Sequence, residues 1–292
     1  MSGVRCQEVI KIQSRYPEPS TRYLKPSTRY PEPSTRYPST NPPIHSLPMT
    51  HWAILSGING NLAAYEAVLA DLKRVRQPVE AIYILGDLVG PHPQCEALVQ
   101  RVRQPSQGEP RPQVCTGWWE EQCFNLHGMG SDPEASELLE QVGADGVERL
   151  WKSVSRQTVQ WLRSLDFGFF ELDCLLIHGS TVGCHDVLTP ETPPMQLLDR
   201  LLRADANTLF CGRSGLTFHL QIPAGAVTST VTTLDAPAQT MTQQVRDRQV
   251  VGVGSVGKEP GQVTYTLYNP YANAVSFRTV RYGTQGKGFG AV

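Results

Sequence analysis

Five short apolar runs in this chain each stop at a glycine-containing turn, and no other feature narrows the possible folds as far. Trp52-Ala53-Ile54-Leu55 runs into Ser56-Gly57-Ile58-Asn59-Gly60-Asn61, and Ala81 to Leu85 ends in Gly86-Asp87-Leu88-Val89-Gly90. Gln113 to Cys115 leads to Gly117-Trp118-Trp119-Glu120, Leu175 to Ile177 leads to His178-Gly179-Ser180, and Leu209 to Cys211 leads to Gly212-Arg213-Ser214-Gly215. Short apolar runs bounded by turn residues read as buried strands. Between the first two, Asn61 opens a helix to about Arg76, with Leu62, Val68, Leu69, Leu72 and Val75 recurring on one face. Strand and helix alternate again from Glu80 to Arg103, and Gln104 to Arg111, rich in Pro, Gln and Gly, reads as a surface loop.

The later chain changes character. Asp132 to Leu165 reads as a pair of helices covering the mouth of the site formed by the turns, with Leu150, Trp151, Val154, Val159, Trp161 and Leu162 apolar and both tryptophans expected in the core. Gly168 to His178 reads as two strands with a turn near Asp173, and Pro193 to Arg203 as a helix. From Thr208 the pattern is strands: Leu209–Cys211, Phe218–Ile222, Val227–Leu234, Val245–Val253, Val263–Tyr268 and Val275–Tyr282. Early parallel crossovers followed by strands imply an α/β sandwich of two sheets flanked by helices.

Composition sets limits on partners and compartment. The net charge is −1 with a pI near 6.7, which points to neither nucleic acid nor an acidic membrane as partner. Seven cysteines, at positions 6, 95, 115, 123, 174, 184 and 211, show no paired spacing, as suits reduced thiols in the cytoplasm. No apolar run approaches the roughly 20 residues of a membrane span, and no signal-peptide stretch opens the chain.

Residues 1–48 are different again. They hold seven Lys or Arg and three Glu, net +4, so residues 49–292 carry −1 − 4 = −5. Nine of the chain's 23 prolines fall here, within a repeat of seven running from Arg15 to Thr21, Arg22 to Thr28 and Arg29 to Thr35, with a truncated copy from Arg36. That composition implies extended disorder, a tail able to meet a proline-recognising partner. A tandem repeat of seven bases returns to frame after seven codons. The base unit CAGTACC, for instance, reads Gln-Tyr-Pro-Val-Pro-Ser-Thr, five of whose seven positions match Arg15 to Thr21. The expectation is therefore a translated intergenic repeat ahead of a true start at Met49, a domain over residues 49–283, and a flexible glycine-rich tail over 284–292.

The turn blocks carry the functional information. In order and content, they resemble those of the calcineurin-like metallophosphoesterases, in the bacterial phosphodiesterase-type branch. The resemblance runs from about Met49 to Gly283, and Gly252-Val253-Gly254-Ser255-Val256-Gly257 extends it past the last ligand block. It implies a four-layer α/β/β/α sandwich of two mixed sheets flanked by helices. In that family two metals clamp the phosphoryl oxygens and generate hydroxide. By the resemblance the first metal would use positions 56, 58, 87 and 215, and the second positions 87, 118, 178 and 213. Here Asp87 and His178 match, whereas Ser56, Ile58, Trp118, Arg213 and Gly215 stand where the family has ligands, and Trp119 stands where it has the catalytic histidine. Serine is a poor ligand, and arginine stays protonated and repels a cation. The expectation is a degenerate site with no cofactor, the remnant cleft being Asp87, His178 and Glu120.

Two classes of function follow. In the first, a non-catalytic binding or scaffold protein uses the old cleft, meeting an unknown protein or an anionic small molecule through Arg213, Trp118 and Trp119, with no nucleic acid or membrane involved. Arg213 is then expected to pair with Asp87. The two indoles either fill vacated core or form an aromatic wall rimmed by Glu120 and Glu121. In the second, a phosphoric ester hydrolase keeps one divalent metal (Mn, Fe or Zn) on Asp87 and His178, with Glu120 assisting. Migration of ligands to His92, His185, Cys184 or Cys211 has no metal-motif spacing behind it. The Gly-Ser-x-Gly at Ser255 lacks the strand–turn–helix context of a serine hydrolase.

Overall fold

The computed structural model describes residues 50–131, 136–233 and 236–283. The readings made for residues 1–48, for Met49 as initiator and for the tail over 284–292 lie outside the described residues. In chain order the elements are β1 (His51–Leu55), α1 (Leu62–Leu72), β2 (Val79–Leu85), α2 (Cys95–Arg103), β3 (Gln113–Cys115), α3 (Trp118–Leu126), α4 (Ser136–Ser153), α5 (Arg156–Leu162), β4 (Gly168–Glu171) and β5 (Cys174–Ile177). There follow α6 (Pro194–Arg203), β6 (Thr208–Cys211), β7 (Thr217–Ile222), β8 (Gly225–Thr233), β9 (Ala236–Val245), β10 (Arg248–Val253), β11 (Gln262–Asn269) and β12 (Ala274–Arg281).

Two five-stranded sheets form, ordered β12-β11-β1-β2-β3 and β4-β5-β6-β10-β7, and β8 and β9 pair as a separate hairpin. Within the first sheet β1, β2 and β3 run parallel and β11 antiparallel to β1; within the second β5, β6 and β10 run parallel. Continuous apolar runs are what such strands require, because neighbouring layers bury both faces. Alternate residues go opposite ways. Ala53 and Leu55 of β1, with Ile82 and Ile84 of β2, join the helical layer of α1 to α5. Trp52, Ile54, Tyr83 and Leu85 meet Leu176, Phe210 and Val251 between the sheets. Leu175, Ile177 and Leu209 face away from the first sheet, onto Leu197 and Leu201 of α6. Three interfaces make four layers, α/β/β/α, as the blocks implied.

Several boundaries differ from the sequence reading for local reasons. Asn61 caps α1, accepting from Ala64 N at 3.0 Å, but regular helix stops at Leu72 rather than Arg76. Arg74 N and Val75 N bond three residues back, and Pro78 bars the residue before it from helix. The strand expected over Val245–Val253 is two strands, broken where the Asp247 carboxylate accepts from Ala224 N at 2.6 Å, and the Thr- and Gln-rich strand β9 had no apolar signal. Trp151 is not core: it is 52% exposed near the end of α4, stacked on His127 at 6.0 Å. Trp161 is half-buried under Arg103, 5.2 Å from its ring. The 3.6-residue period puts Leu150 inward, and its neighbour Trp151 therefore points elsewhere.

Candidate functional site

The turns converge at the carboxyl ends of the parallel strands. Beside β2, Gly57 N donates to Gly86 O (3.3 Å), Asn59 N to Asp87 O (2.9 Å) and Gly60 N to Leu88 O (2.8 Å), stitching the first two turns together. Across the sandwich, Gly212 N and Arg213 N both donate to His178 O at 2.8 Å. Two glycines permit a close approach of the second and third turns. A Cβ on Gly86 would lie 2.4 Å from Gly117 Cα, and one on Gly117 would lie 2.2 Å from Asp87 N. Asp87 itself adopts φ 52°, a left-handed conformation that costs a non-glycine residue about 1 kcal/mol or more and persists only where its surroundings fix it.

Asp87 and His178 meet. The carboxylate is 6% exposed and the imidazole 1%. Asp87 Oδ1 accepts from Trp119 N at 2.8 Å, while Oδ2 lies 3.4 Å from His178 Nε2. His178 Nδ1 is 2.8 Å from Leu85 O; that oxygen can only accept, so Nδ1 carries the proton and donates. Ser56, fully buried, donates its hydroxyl to the same Leu85 oxygen at 2.6 Å, which satisfies both lone pairs of that carbonyl. Asp87 therefore anchors the first turn of α3 through Oδ1, while Oδ2 faces His178 Nε2 without a hydrogen bond. Arg213 has no ion pair with Asp87 among the described residues, which corrects the expected pairing.

Arg213 lies instead over Trp118, its Cζ 4.6 Å from the ring centre. Trp118 is 1% exposed, so of the two expectations for the indoles, core filling holds here. Trp119 packs edge-on against it at 4.7 Å and is half-buried. Such a cation–π contact contributes roughly 0.5–2 kcal/mol, yet both Trp118 Nε1 and Arg213 Nε are buried without a hydrogen-bond partner. The half-buried guanidinium is thus held by a ring face, with no carboxylate neutralising it among the described residues.

Glu120 is not part of a rim. It is fully buried: Oε2 accepts from Asp87 N and Gly117 N at 2.8 Å each, and Oε1 from Val89 N at 3.0 Å. As the third residue of α3 reaching back to the residue before the helix, it caps α3 and fixes the Asp87 turn simultaneously. Burial pushes its carboxyl up to about 7, with the Asp87 charge adding to the rise and the three N–H donors opposing it. This helix was missed in the sequence, although the Gly-x-x-Glu spacing ahead of an apolar run is a capping signal.

The remaining candidates scatter. Ile58 is fully buried in the same core cluster as Trp118. Gly215 has φ 67° and borders a small cavity of about 200 Å³ with Lys258 and Ser255. Glu121 lies beside Cys184, whose thiol is pushed up, chiefly by burial and then by that charge. His92 is half-buried on the β2–α2 loop and accepts from Gln94 N at 3.2 Å, His185 is exposed, and Cys211 points to Val251 O in the α6 layer. Among the described residues no group of three or more His, Cys, Asp or Glu side chains is placed to hold a metal ion. Asp87 Oδ2 and His178 Nε2 are the two donor atoms that face each other.

No family model matches the chain, and no curated protein matches it in sequence. Solved structures do match. A metallophosphoesterase from Sphaerobacter thermophilus superposes with a TM-score of 0.53 at 20% identity, over 80% of this chain and 89% of that one. The hypothetical protein PH1004 from Pyrococcus horikoshii OT3 superposes with a TM-score of 0.56 at 20% identity, over 81% and 90%. The fold is that of the calcineurin-like metallophosphoesterases. No helix among the described residues is long and apolar enough to cross a membrane.

Proposed function

We propose that this chain is a non-catalytic binding protein on the metallophosphoesterase fold, one whose former active-site cleft takes an anionic small molecule through Arg213. The observation that carries the reading is the Arg213 guanidinium seated on Trp118 with no ion pair among the described residues. A two-metal centre needs roughly four donors per cation, and this cleft supplies one free carboxylate oxygen and one imidazole nitrogen next to a fixed positive charge. The residues do not fit that centre, and no hydrolytic step is derived through it. An oxyanion fits better: a half-buried guanidinium without a carboxylate partner favours a phosphate or carboxylate by a charge-assisted hydrogen bond. Trp118, enclosed in the core, gives no anchor for a protein partner. The described cysteines are all free and buried, which supports a reducing, cytoplasmic setting.

The test pairs metal content with turnover and binding. After purification in manganese or zinc, we expect well under one metal per chain and no hydrolysis of p-nitrophenyl phosphate or its bis ester. Inorganic phosphate should raise the melting temperature of the wild type and not of Arg213→Gln. Stoichiometric metal with turnover abolished in Asp87→Asn would sink the proposal. One observation favours that second reading, a single-metal hydrolase. His178 donates Nδ1–H to a backbone carbonyl and turns Nε2 toward Asp87, as metal-ligating histidines do.

A further inference from the structure

A groove of about 1130 Å³ lies on the helical layer, lined by α2, the end of α3, the end of α4 and the start of α5. Its residues share none with the cleft of Asp87, His178 and Arg213. The floor is apolar: Val99 and Val154 are buried, and Leu126 is half-buried. Above it stands Trp151, 52% exposed and stacked on His127, whose Nε2 is buried with no partner. Arg103, Lys152 and Arg156 line the same groove. Arg103 lies over the Trp161 ring, neither it nor Arg156 has an ion pair among the described residues, and Lys152 pairs with Glu148 in solvent, a contact that holds it weakly. The acid that lines the groove, Glu96, is already committed to Ser155 N and the Thr158 hydroxyl. The groove is therefore a local positive surface on a region of net charge −5 (−1 − 4).

We propose that this groove binds an acidic linear peptide of a partner protein, with an apolar side chain seated on Val99, Leu126 and Val154 and carboxylates meeting Arg103, Lys152 and Arg156. Charge selects this occupant. The chain's own amino-terminal segment carries net +4, the same sign as the groove. The volume exceeds the roughly 300–1,000 Å³ of small-molecule sites. An exposed Trp flanked by unpaired arginines is the residue combination that dominates protein interfaces. An apolar floor walled by helices is a form in which a short amphipathic segment is recognised.

The test selects a displayed library of random peptides of about a dozen residues against the full chain, then measures the enriched peptides by fluorescence anisotropy. Enriched sequences should place acidic residues around an apolar anchor. Arg103→Glu, Arg156→Glu and Trp151→Ala should each weaken binding by about tenfold or more, with the circular dichroism spectrum of the folded chain retained. Raising salt should weaken the wild type more steeply than either charge-reversed variant. Phosphate stabilisation through Arg213 should survive Trp151→Ala, so failure at one site is distinguishable from failure at the other. Enrichment of peptides without acidic residues, equal binding to the reversed variants, or no enrichment at all overturns the proposal. Concentration-dependent dimerisation abolished by Trp151→Ala overturns it too, in favour of a second copy of this chain.

Discussion

Substituting Gly117 by alanine tests the junction on which the candidate site depends. Gly117 has φ −121° and ψ −172°, which alanine adopts freely, so any penalty is steric and not backbone strain. The new Cβ would stand 2.2 Å from Asp87 N, 2.7 Å from Gly86 Cα and 2.7 Å from Glu120 Oε2. The first two are backbone and cannot swing aside. Restoring ordinary contact at 3.4 Å needs about 1.2 Å of separation between the two turns. That would take the Asp87 N to Glu120 Oε2 bond from 2.8 Å past hydrogen-bond range. Overpacking costs about 1–3 kcal/mol, and a buried N–H left unpaired about 1–3 kcal/mol more. Together they come to roughly 2–6 kcal/mol, a fall in melting temperature of roughly 4–24 °C for a domain of this size. Gly108→Ala is the control: φ there is 84° with nothing within 4 Å, so only conformational strain of about 1–2 kcal/mol applies. Thermal melts by circular dichroism compare the two variants. A Gly117→Ala shift no larger than that of Gly108→Ala refutes the reasoning.

Glu120 and Asp71 give pH predictions of opposite sign. Burial lifts Glu120 to about 7 from an ordinary 4.5, so the folded chain retains a proton that the unfolded chain releases. The resulting stability is complete below 4.5 and is lost as the pH climbs through 7. In urea melts between pH 5 and 8 the wild type should lose ground to Glu120→Gln, and a pH-independent gap counts against the assignment. Asp71 accepts from Arg278 Nε and Nη2 at 2.7 and 2.9 Å and from the Tyr265 hydroxyl at 2.7 Å, tying α1 to β11 and β12. These partners, Arg278 first, hold its carboxyl below the usual 3.8, so its contribution is present above that value and disappears as the pH falls through the lowered one. Asp71→Asn should cost roughly 2–3 kcal/mol at pH 6, and the wild-type advantage should shrink toward pH 3; an advantage maintained in acid refutes the linkage.

The early strands were legible because they follow from local chemistry, whereas the four-layer count came from the family resemblance. Trp52 to Leu55, Ala81 to Leu85 and Leu175 to Ile177 are apolar without interruption, a pattern that suits a strand covered on both faces. Helix α3 was hidden because its amino-terminal Trp-Trp pair carries no intrinsic helical preference. Its cap comes from Glu120, and the Asp87 carboxylate, 32 positions away in the chain, adds a second anchor at Trp119 N. Trp151 was misplaced inward because apolar character alone does not say on which side of a helix a residue falls.

The sequence by itself determined the α/β class and the order of the turns, since each of these is a property of residue type and spacing. Only the tertiary structure decided that Arg213 rests on Trp118 and not against Asp87, that Asp87 anchors the first turn of α3, and that Glu120 is a buried clamp. Those outcomes depend on which backbone donors the folded turns present within hydrogen-bond reach, and such distances arise only when segments far apart in the chain pack against one another.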